Sequence, residues 1–319
     1  MHPQRKIISK FPAASAALLA LALAGGARAQ SAGGFSAGPG LSPAATHDSD
    51  AKGDFRTDIT SFKPSPNFTQ VREFTTTRMW VLDPGQVTVE QWWNGSFGAP
   101  SAQPGPNQGN QFFQTEIELG VARHFQIDIY GNYQFAQDPI SGNYQIARGG
   151  HTGIAAEVRY AIGDYWGQYW GNPTLYFELT SQYYNSPRAE ARLLLGGNIL
   201  TSKLLGALNL GFERNIFRDS GSGIDYEIKA DYGINYEVIP DVLRLGVEGV
   251  LGFDSHGILD HSQGGVAIGG QSVYPVAEVG PSIVLMEPHR HIKLLASMLF
   301  GLAQYDTPWQ PTAILSSAF

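Results

Sequence analysis

Hydrophobic and polar residues alternate along most of the chain from about Val87 onward. Between positions 224 and 237, apolar side chains occupy the even positions, and the odd positions carry charged or polar residues and one glycine. Successive side chains of a β-strand point to opposite faces, so this run predicts a strand with one apolar and one polar face. A helical period would spread the charges over every side. Similar runs near Phe125, Ile154 and Leu243 bring the total to about twelve strands, each near the ~9–11 residues that a tilted membrane strand needs.

The connections between the predicted strands alternate in length. The long ones are 98–110, 136–149 and 254–270, and the tight turns lie near 122–124, 201–202, 239–241 and 288–290. Bacterial outer-membrane barrels have short periplasmic turns and longer outer loops, which mostly matches this order. The medium turn at 162–172 and the short loop at 185–188 are exceptions. The chain ends on Phe319 after a final predicted strand, and this ending resembles the assembly signal of outer-membrane barrels.

The N-terminus has the layout of a secretory signal peptide over residues 1–29. A basic start precedes an apolar stretch from Phe11 to about Ala24, and Ala27-Arg28-Ala29 forms an Ala-x-Ala cleavage site with Gln30 as the first mature residue. The apolar stretch of roughly 14 residues is shorter than the ~20 that a membrane-spanning helix needs. Residues 30–75 are rich in Ser, Gly and Pro and predict a flexible periplasmic segment, which leaves 76–319 for the barrel.

Composition narrows the possible functions. Hydrophobic residues make up 43% of the chain and charged residues only 15%, yet the mean hydropathy is −0.15, which fits two-faced strands better than membrane helices. The net charge of −7 argues against a nucleic-acid partner. The absence of cysteine excludes disulfides, thiolate metal sites and cysteine nucleophiles. The Gly-x-Ser-x-Gly pattern at 34–38 lies in a low-complexity segment and is attributed to chance. No serine is tied to a histidine by a recognisable pattern, and the sequence shows no Gly-rich phosphate loop and no metal-ligand spacing, so we expect no enzyme, no cofactor and no metal site.

Alternation alone does not say which face of a barrel is inside. About eight strands enclose an interior that side chains can fill, whereas about twelve enclose a wide lumen that an apolar face could not fill. Placing the apolar face against lipid and the polar face against water resolves this, and closure leaves no backbone edge unpaired. The sequence therefore predicts an all-β fold, a transmembrane antiparallel up-and-down β-barrel of about twelve strands in the outer membrane. The expected partners are outer-membrane lipid, the barrel-assembly machinery and a small-molecule solute, for a monomer or a trimer.

Several short motifs resemble a known family. Leu82-Asp83-Pro84-Gly85-Gln86, running into 87–92, resembles the opening of a family of outer-membrane channels linked to the meta-pathway of phenol degradation. Residues 116–120 and 125–127 resemble that family's second hairpin, and 156–160 and 193–197 add short matches. The resemblance covers most of residues 75–319. It implies a barrel that passes small organic molecules, hydrophobic or aromatic ones included, and it supplies no catalytic residues.

The polar face of the predicted strands carries the candidate functional residues. The lumen-lining candidates are Glu116, Glu118, Asp128, Glu157, Arg159, Glu178, Arg192, Glu213, Asp225, Glu227, Lys229, Asp231, Arg244, Glu248 and Glu278. Rings of charge set the selectivity of pores, and this acidic excess predicts a mild preference for cations. The alternative is that these groups pair with one another and only stabilise the sheet.

The predicted function is an outer-membrane channel for passive diffusion of small solutes. The alternative is a closed structural or adhesive barrel that acts through its outer loops. Arg72 and Arg78 precede the first strand, and either could reach the acidic lumen. The N-terminal segment would then plug the barrel.

Overall fold

The computed structural model describes residues 72–97, 109–137, 143–146, 152–182, 186–217, 226–255, 266–268, 271–287, 292–303 and 308–319. The predicted signal peptide with its cleavage site at Ala29 and Gln30, most of the predicted segment 30–75, and the lumen candidate Asp225 lie outside these ranges. In the described part of the chain, no helix is long and apolar enough to cross a membrane.

Fourteen strands make up most of the described residues. They are β1 Val87–Ser96, β2 Asn110–Ala122, β3 Phe125–Gln137, β4 Tyr144–Ile146, β5 Gly153–Ala161, β6 Thr174–Gln182, β7 Arg188–Asn198, β8 Leu204–Asn215, β9 Tyr226–Ile239, β10 Leu243–Ser255, β11 Val266–Ile268, β12 Gln271–Met286, β13 Ile292–Gly301 and β14 Trp309–Ala318.

Twelve of these strands form a closed antiparallel barrel, which confirms the predicted fold. Each ring strand pairs with the ring strands before and after it in the chain, β10 pairs with β12, and β14 pairs with β1 to close the ring. The three-residue strands β4 and β11 lie outside the ring and pair with β3 and β12. Phe319 exchanges two backbone hydrogen bonds with Val87, so the chain end continues the closing seam.

The connections follow the up-and-down order. The turns at 123–124, 199–203 and 240–242 lie at the end of the barrel where β1 begins, which we call the N-terminal end. The twelve-residue connection 162–173 lies at this same end, as its place between β5 and β6 requires. The predicted medium turn at 162–172, an exception to the alternation of connection lengths, is therefore a long turn at the N-terminal end and does not interrupt the order of the strands.

The apolar face of the barrel points outwards. Ile129, Ile154 and Phe177 have 53–60% of their surface exposed, while the neighbouring acidic residues Asp128 and Glu157 are almost completely buried. A soluble protein buries its apolar side chains and exposes its charges. The reverse arrangement is typical of a barrel whose outer surface contacts lipid.

Candidate functional site

An extended stretch of chain occupies the lumen next to the N-terminal end. It comprises residues Arg72–Leu82, which we call the plug segment, and ten of its eleven residues are buried. It belongs to none of the strands, so its polar groups pair with the barrel wall instead of with a neighbouring strand. Leu82, for example, donates its backbone N–H to Oε1 of Gln126 on β3 at 2.7 Å.

Arg78 links opposite walls of the barrel. Its guanidinium pairs with Glu118, with Glu90 at 2.9 Å and with Glu116 at 3.2 Å, all on β1 and β2. Its backbone N–H and C=O pair with the side-chain amide of Asn209 on β8, at 2.9 and 2.8 Å in the amide orientation that satisfies both groups. Because β8 stands half-way round the ring from β1, the plug segment crosses the whole lumen at this residue.

The start of the plug segment is held by the other half of the wall. Glu73 forms ion pairs with the buried Lys293 on β13 and with Arg244 on β10. Thr75 donates a hydrogen bond to Glu248 at 2.8 Å and lies 2.6 Å from the hydroxyl of Ser297 on β13. These contacts join the segment to three wall strands at once, because Asn235 on β9 also donates to the carbonyl of Glu73 at 3.1 Å.

Apolar contacts seat the plug segment between these polar links. Phe74 and Met79 pack with Leu205 and Ala207 of β8. Phe74 also lies directly over Gly233 of β9, where an added Cβ would come within 2.4 Å of the ring. The wall at this level is therefore shaped to receive the aromatic side chain.

A tight turn carries the chain from the lumen into β1. Gln86 donates its backbone N–H to the carbonyl of Asp83 at 3.1 Å, and Gly85 has a φ of +85°. Proline at the second position and a positive-φ glycine at the third are the requirements of a type II turn. The Leu82-Asp83-Pro84-Gly85-Gln86 motif is thus the element that reverses the chain at the N-terminal end.

A cavity of about 630 Å³ lies in the lumen beside the plug segment. Arg72, Thr75, Thr76 and Arg78 of the plug segment contribute to its lining, and inward side chains of the wall form the rest. Nine acidic and six basic side chains line it, together with amides, hydroxyls and the aromatic rings of Tyr130 and Tyr176. The lining is polar and acidic on balance.

The fourteen described lumen candidates all lie on the inner side of the barrel. Ten of them line the cavity: Glu116, Glu157, Arg159, Glu178, Arg192, Glu213, Glu227, Lys229, Asp231 and Glu278. Glu118 and Asp128 are buried beneath it against Arg159. Arg244 and Glu248 bind the plug segment.

Many of these charges are paired with one another, as the alternative interpretation of the sequence required. Arg159 contacts the carboxylates of Glu118, Glu157 and Asp128. Arg192 pairs with Asp231 at 2.7 Å and with Glu190 at 2.6 Å. Pairing does not use up the acidic excess, because the acidic side chains of the lining outnumber the basic ones.

The hypothesis that Arg72 and Arg78 reach the acidic lumen is confirmed. Both form ion pairs with Glu90. Burial disfavours the charge of both, and it lowers the pKa of Arg72. For Arg78 the carboxylates of Glu118 and Glu90 outweigh burial and hold its pKa above the ordinary value.

Sequence reasoning missed six charged groups of the site: Glu73, Glu90, Arg188, Glu190, Asp254 and Lys293. Glu90 and Lys293 each sit singly on the polar side of an otherwise weakly charged strand, so their alternation was the only available signal. Glu73 has no strand pattern around it at all.

Two groups of carboxylates come close enough to hold a metal ion: Glu90, Glu116 and Glu118, and Glu116, Asp128 and Glu157. In each group one oxygen per residue lies within 4.8 Å of the others. Arg78 and Arg159 already pair with these oxygens. The geometry is therefore that of a guanidinium site.

Comparison with known proteins identifies the fold but no family. No family model and no curated protein match the sequence. Among solved structures, an outer-membrane channel from Pseudomonas putida F1 is similar with a TM-score of 0.51 at 11% identity, over 76% of this chain and 98% of that one. The NanC porin gives a TM-score of 0.48 at 12% identity, over 72% and 98% of the two chains. The outer-membrane protein OprD from Pseudomonas aeruginosa gives 0.32 at 8% identity, over 78% and 97%. The similarity to the P. putida channel, together with the apolar exterior, shows the fold of an outer-membrane β-barrel.

Proposed function

We propose that this protein is an outer-membrane channel for passive diffusion of small polar solutes, with the plug segment restricting the passage. The observation that carries the proposal is the combination of a closed twelve-stranded wall, an apolar outer face and a polar lumen cavity of about 630 Å³. The signal peptide at 1–29 would direct export, and the apolar face would place the barrel in the outer membrane.

The lining favours hydrated solutes. The family resemblance implies hydrophobic or aromatic organic molecules as solutes. Such molecules would displace water from the carboxylates and guanidinium groups of the lining without replacing its hydrogen bonds, and leaving these charged groups unsolvated costs free energy. A polar solute can exchange hydrogen bonds with the same groups. The acidic excess of the lining further favours cations over anions.

The test is single-channel conductance of the refolded mature protein in a planar bilayer, with the plug segment locked or free. The chain has no cysteine, so Thr75→Cys with Ser297→Cys introduces one possible disulfide between the plug segment and β13. We expect conductance steps in the reduced double variant and fewer or smaller steps after oxidation. Thr75→Cys alone is the control and should not respond to oxidant.

Two results would contradict the proposal in different ways. Equal conductance in the oxidised and reduced states would show that the plug segment does not restrict the passage. Silence of the folded, inserted wild type in every condition would instead favour the closed structural or adhesive barrel.

A further inference from the structure

Strand register places eight carboxylates side by side around the inner wall. They are direct cross-strand partners in the order Glu118, Asp128, Glu157, Glu178, Glu190, Glu213, Glu227 and Asp254, one on each of β2, β3, β5, β6, β7, β8, β9 and β10. We call this set the carboxylate row. Since neighbouring strands are ~4.8 Å apart, the row follows the wall for roughly 34 Å.

The carboxylate row climbs through the lumen as it passes round the barrel. Glu118 lies four residues from the N-terminal end of the barrel on β2, whereas Asp254 is the penultimate residue of β10 at the opposite end. Glu190 stands between them, eight residues from the end of β7 that faces the N-terminal end. The row therefore connects the level of the plug segment with the far end of the strands.

Such a row opposes folding unless positive charge accompanies it. Like charges directly opposite each other on neighbouring strands are destabilising. The wall supplies four cations beside the row, all on alternate strands: Arg159 on β5, Arg188 and Arg192 on β7, and Lys229 on β9. Glu178, at the middle of the row, accepts hydrogen bonds from Tyr176 and Thr180 and forms no ion pair with any residue in the described ranges.

The lowest part of the row already holds a cation that is not part of the wall. Arg78 arrives from the plug segment and pairs with Glu118 of the row and with Glu90 and Glu116 beside it. The other oxygen of Glu118, Oε2, is buried and has no hydrogen-bond partner among the residues that the structure describes. The wall can thus bind a guanidinium delivered from the lumen and keeps further acceptor capacity at that point.

Aromatic rings accompany the carboxylates. The guanidinium of Arg72 lies over the ring of Trp92 at 4.1 Å, and those of Arg192 and Arg159 lie 5.2 and 5.9 Å from the ring of Tyr176. A carboxylate beside an aromatic face is the combination that binds organic cations, by charge-assisted hydrogen bonds and by cation–π attraction.

We infer that the carboxylate row is a binding path for organic cations bearing amine or guanidinium groups, and that Arg78 occupies its lowest site as a built-in competitor. This inference rests on the proposed channel function and names the class of solute. An entering cation would step between neighbouring carboxylates and would meet Arg78 at the plug segment.

The first test is chemical rescue of Arg78→Ala by ethylguanidinium chloride. Removing the guanidinium leaves Glu90, Glu116 and Glu118 without it, and we expect the urea midpoint for release of the plug segment, read from tryptophan fluorescence, to fall. Millimolar ethylguanidinium should restore most of that loss, whereas sodium chloride at the same ionic strength should not. Arg123→Ala is the matched control, because Arg123 is exposed at a turn and donates to a backbone carbonyl. Rescue that is absent, or equal in the control, would overturn the inference.

The second test measures ion selectivity and remains informative if Arg78→Ala fails to fold. In a potassium chloride gradient we expect a cation-selective reversal potential, and Glu178→Gln should reduce the ratio of cation to anion permeability by about twofold or more. Glu287→Gln, which removes the same charge outside the cavity lining, should leave the ratio unchanged. Steps that are anion-selective, or unaffected by Glu178→Gln, would overturn the inference while the channel stands. Absence of steps in every variant would overturn the channel, and the rescue experiment would still decide whether the site binds the cation.

Discussion

Truncating Phe74 is the sharpest test of how the plug segment is held. Its side chain is fully buried and packs with Leu205, Ala207 and Met79, and against the bare backbone of Gly233. Replacing a buried phenylalanine by alanine typically costs ~3–5 kcal/mol. The ion pairs of Glu73 and Arg78 remain, so the loss falls on the docking of the segment. Since 1.4 kcal/mol is a factor of ten, the ratio of undocked to docked segment should rise by roughly one hundred- to several thousand-fold.

The assay for Phe74→Ala is the fraction of time for which single channels conduct, together with the melting temperature of the barrel. The conducting fraction should rise steeply, while the melting temperature, set mostly by the strand pairing of the wall, should change little. Phe177→Ala is the control, because it removes the same atoms from the outward face of β6. A wild-type conducting fraction in folded Phe74→Ala would refute the reasoning, since a fully buried apolar contact of the segment would then have no part in closing the lumen.

Three further predictions concern the ion pair between Glu73 and Lys293, the turn before β1 and the outer face of the barrel. Lys293→Met removes the buried partner of Glu73; loss of one member of a buried pair costs ~3–5 kcal/mol, so the urea midpoint for release of the plug segment, read from tryptophan fluorescence, should fall. Gly120→Val would bring a Cβ within 2.1 Å of the carbonyl of Asp83, which should displace the turn before β1 and raise the conducting fraction; an unchanged fraction would contradict this. Ile129→Lys puts a charge on the outer face of β3, and should lower barrel stability in lipid by ~2–4 kcal/mol near the midplane, measured by folding titrations into vesicles.

The strands could be predicted because each carries its own evidence. The run 224–237 alternates at every position, and the structure has β9 at Tyr226–Ile239 with Asp231 buried and Ile228 and Ile234 exposed on the other face. A period of two is a local property that survives without knowledge of the partner strand. The closed ring of twelve followed from counting such segments.

The plug segment could not be located from the sequence. Its fold depends on contacts between distant residues, such as Thr75 with Ser297, which are 222 positions apart. No period marks residues that pair with side chains of a wall instead of with a strand. The charges of Arg72 and Arg78 gave the only hint, because an acidic lumen attracts them.

The carboxylate row was also beyond reach, although most of its members were identified singly. Whether Glu178 stands opposite Glu157 and Glu190 depends on strand register, and register depends on the turns and on the shear of the closed barrel. A shift of two residues at one strand would keep every side chain on its face and yet interrupt the row. The alternation of residues along each strand determines which face is acidic. The register between strands in the folded barrel determines which carboxylates are cross-strand partners.

The wall and the plug segment meet different solvents when they open, lipid for the wall and water for the plug segment. Mutations in the two parts should therefore have different effects. Leaving a wall strand unpaired exposes backbone groups to lipid, which cannot satisfy them. Undocking the plug segment exposes Glu73, Arg78 and their partners to water in the lumen, and water can form hydrogen bonds with these groups. Release of the plug segment therefore costs far less free energy than opening of the wall. The segment can leave the lumen while the barrel stays folded. The two kinds of variant should consequently have opposite signatures: Phe74→Ala should alter conductance and leave barrel stability nearly intact, whereas Ile129→Lys should lower barrel stability and leave the conductance of the molecules that fold unchanged. If both variants moved both properties together, the plug segment and the wall would be one cooperative unit, and a movable plug would be excluded.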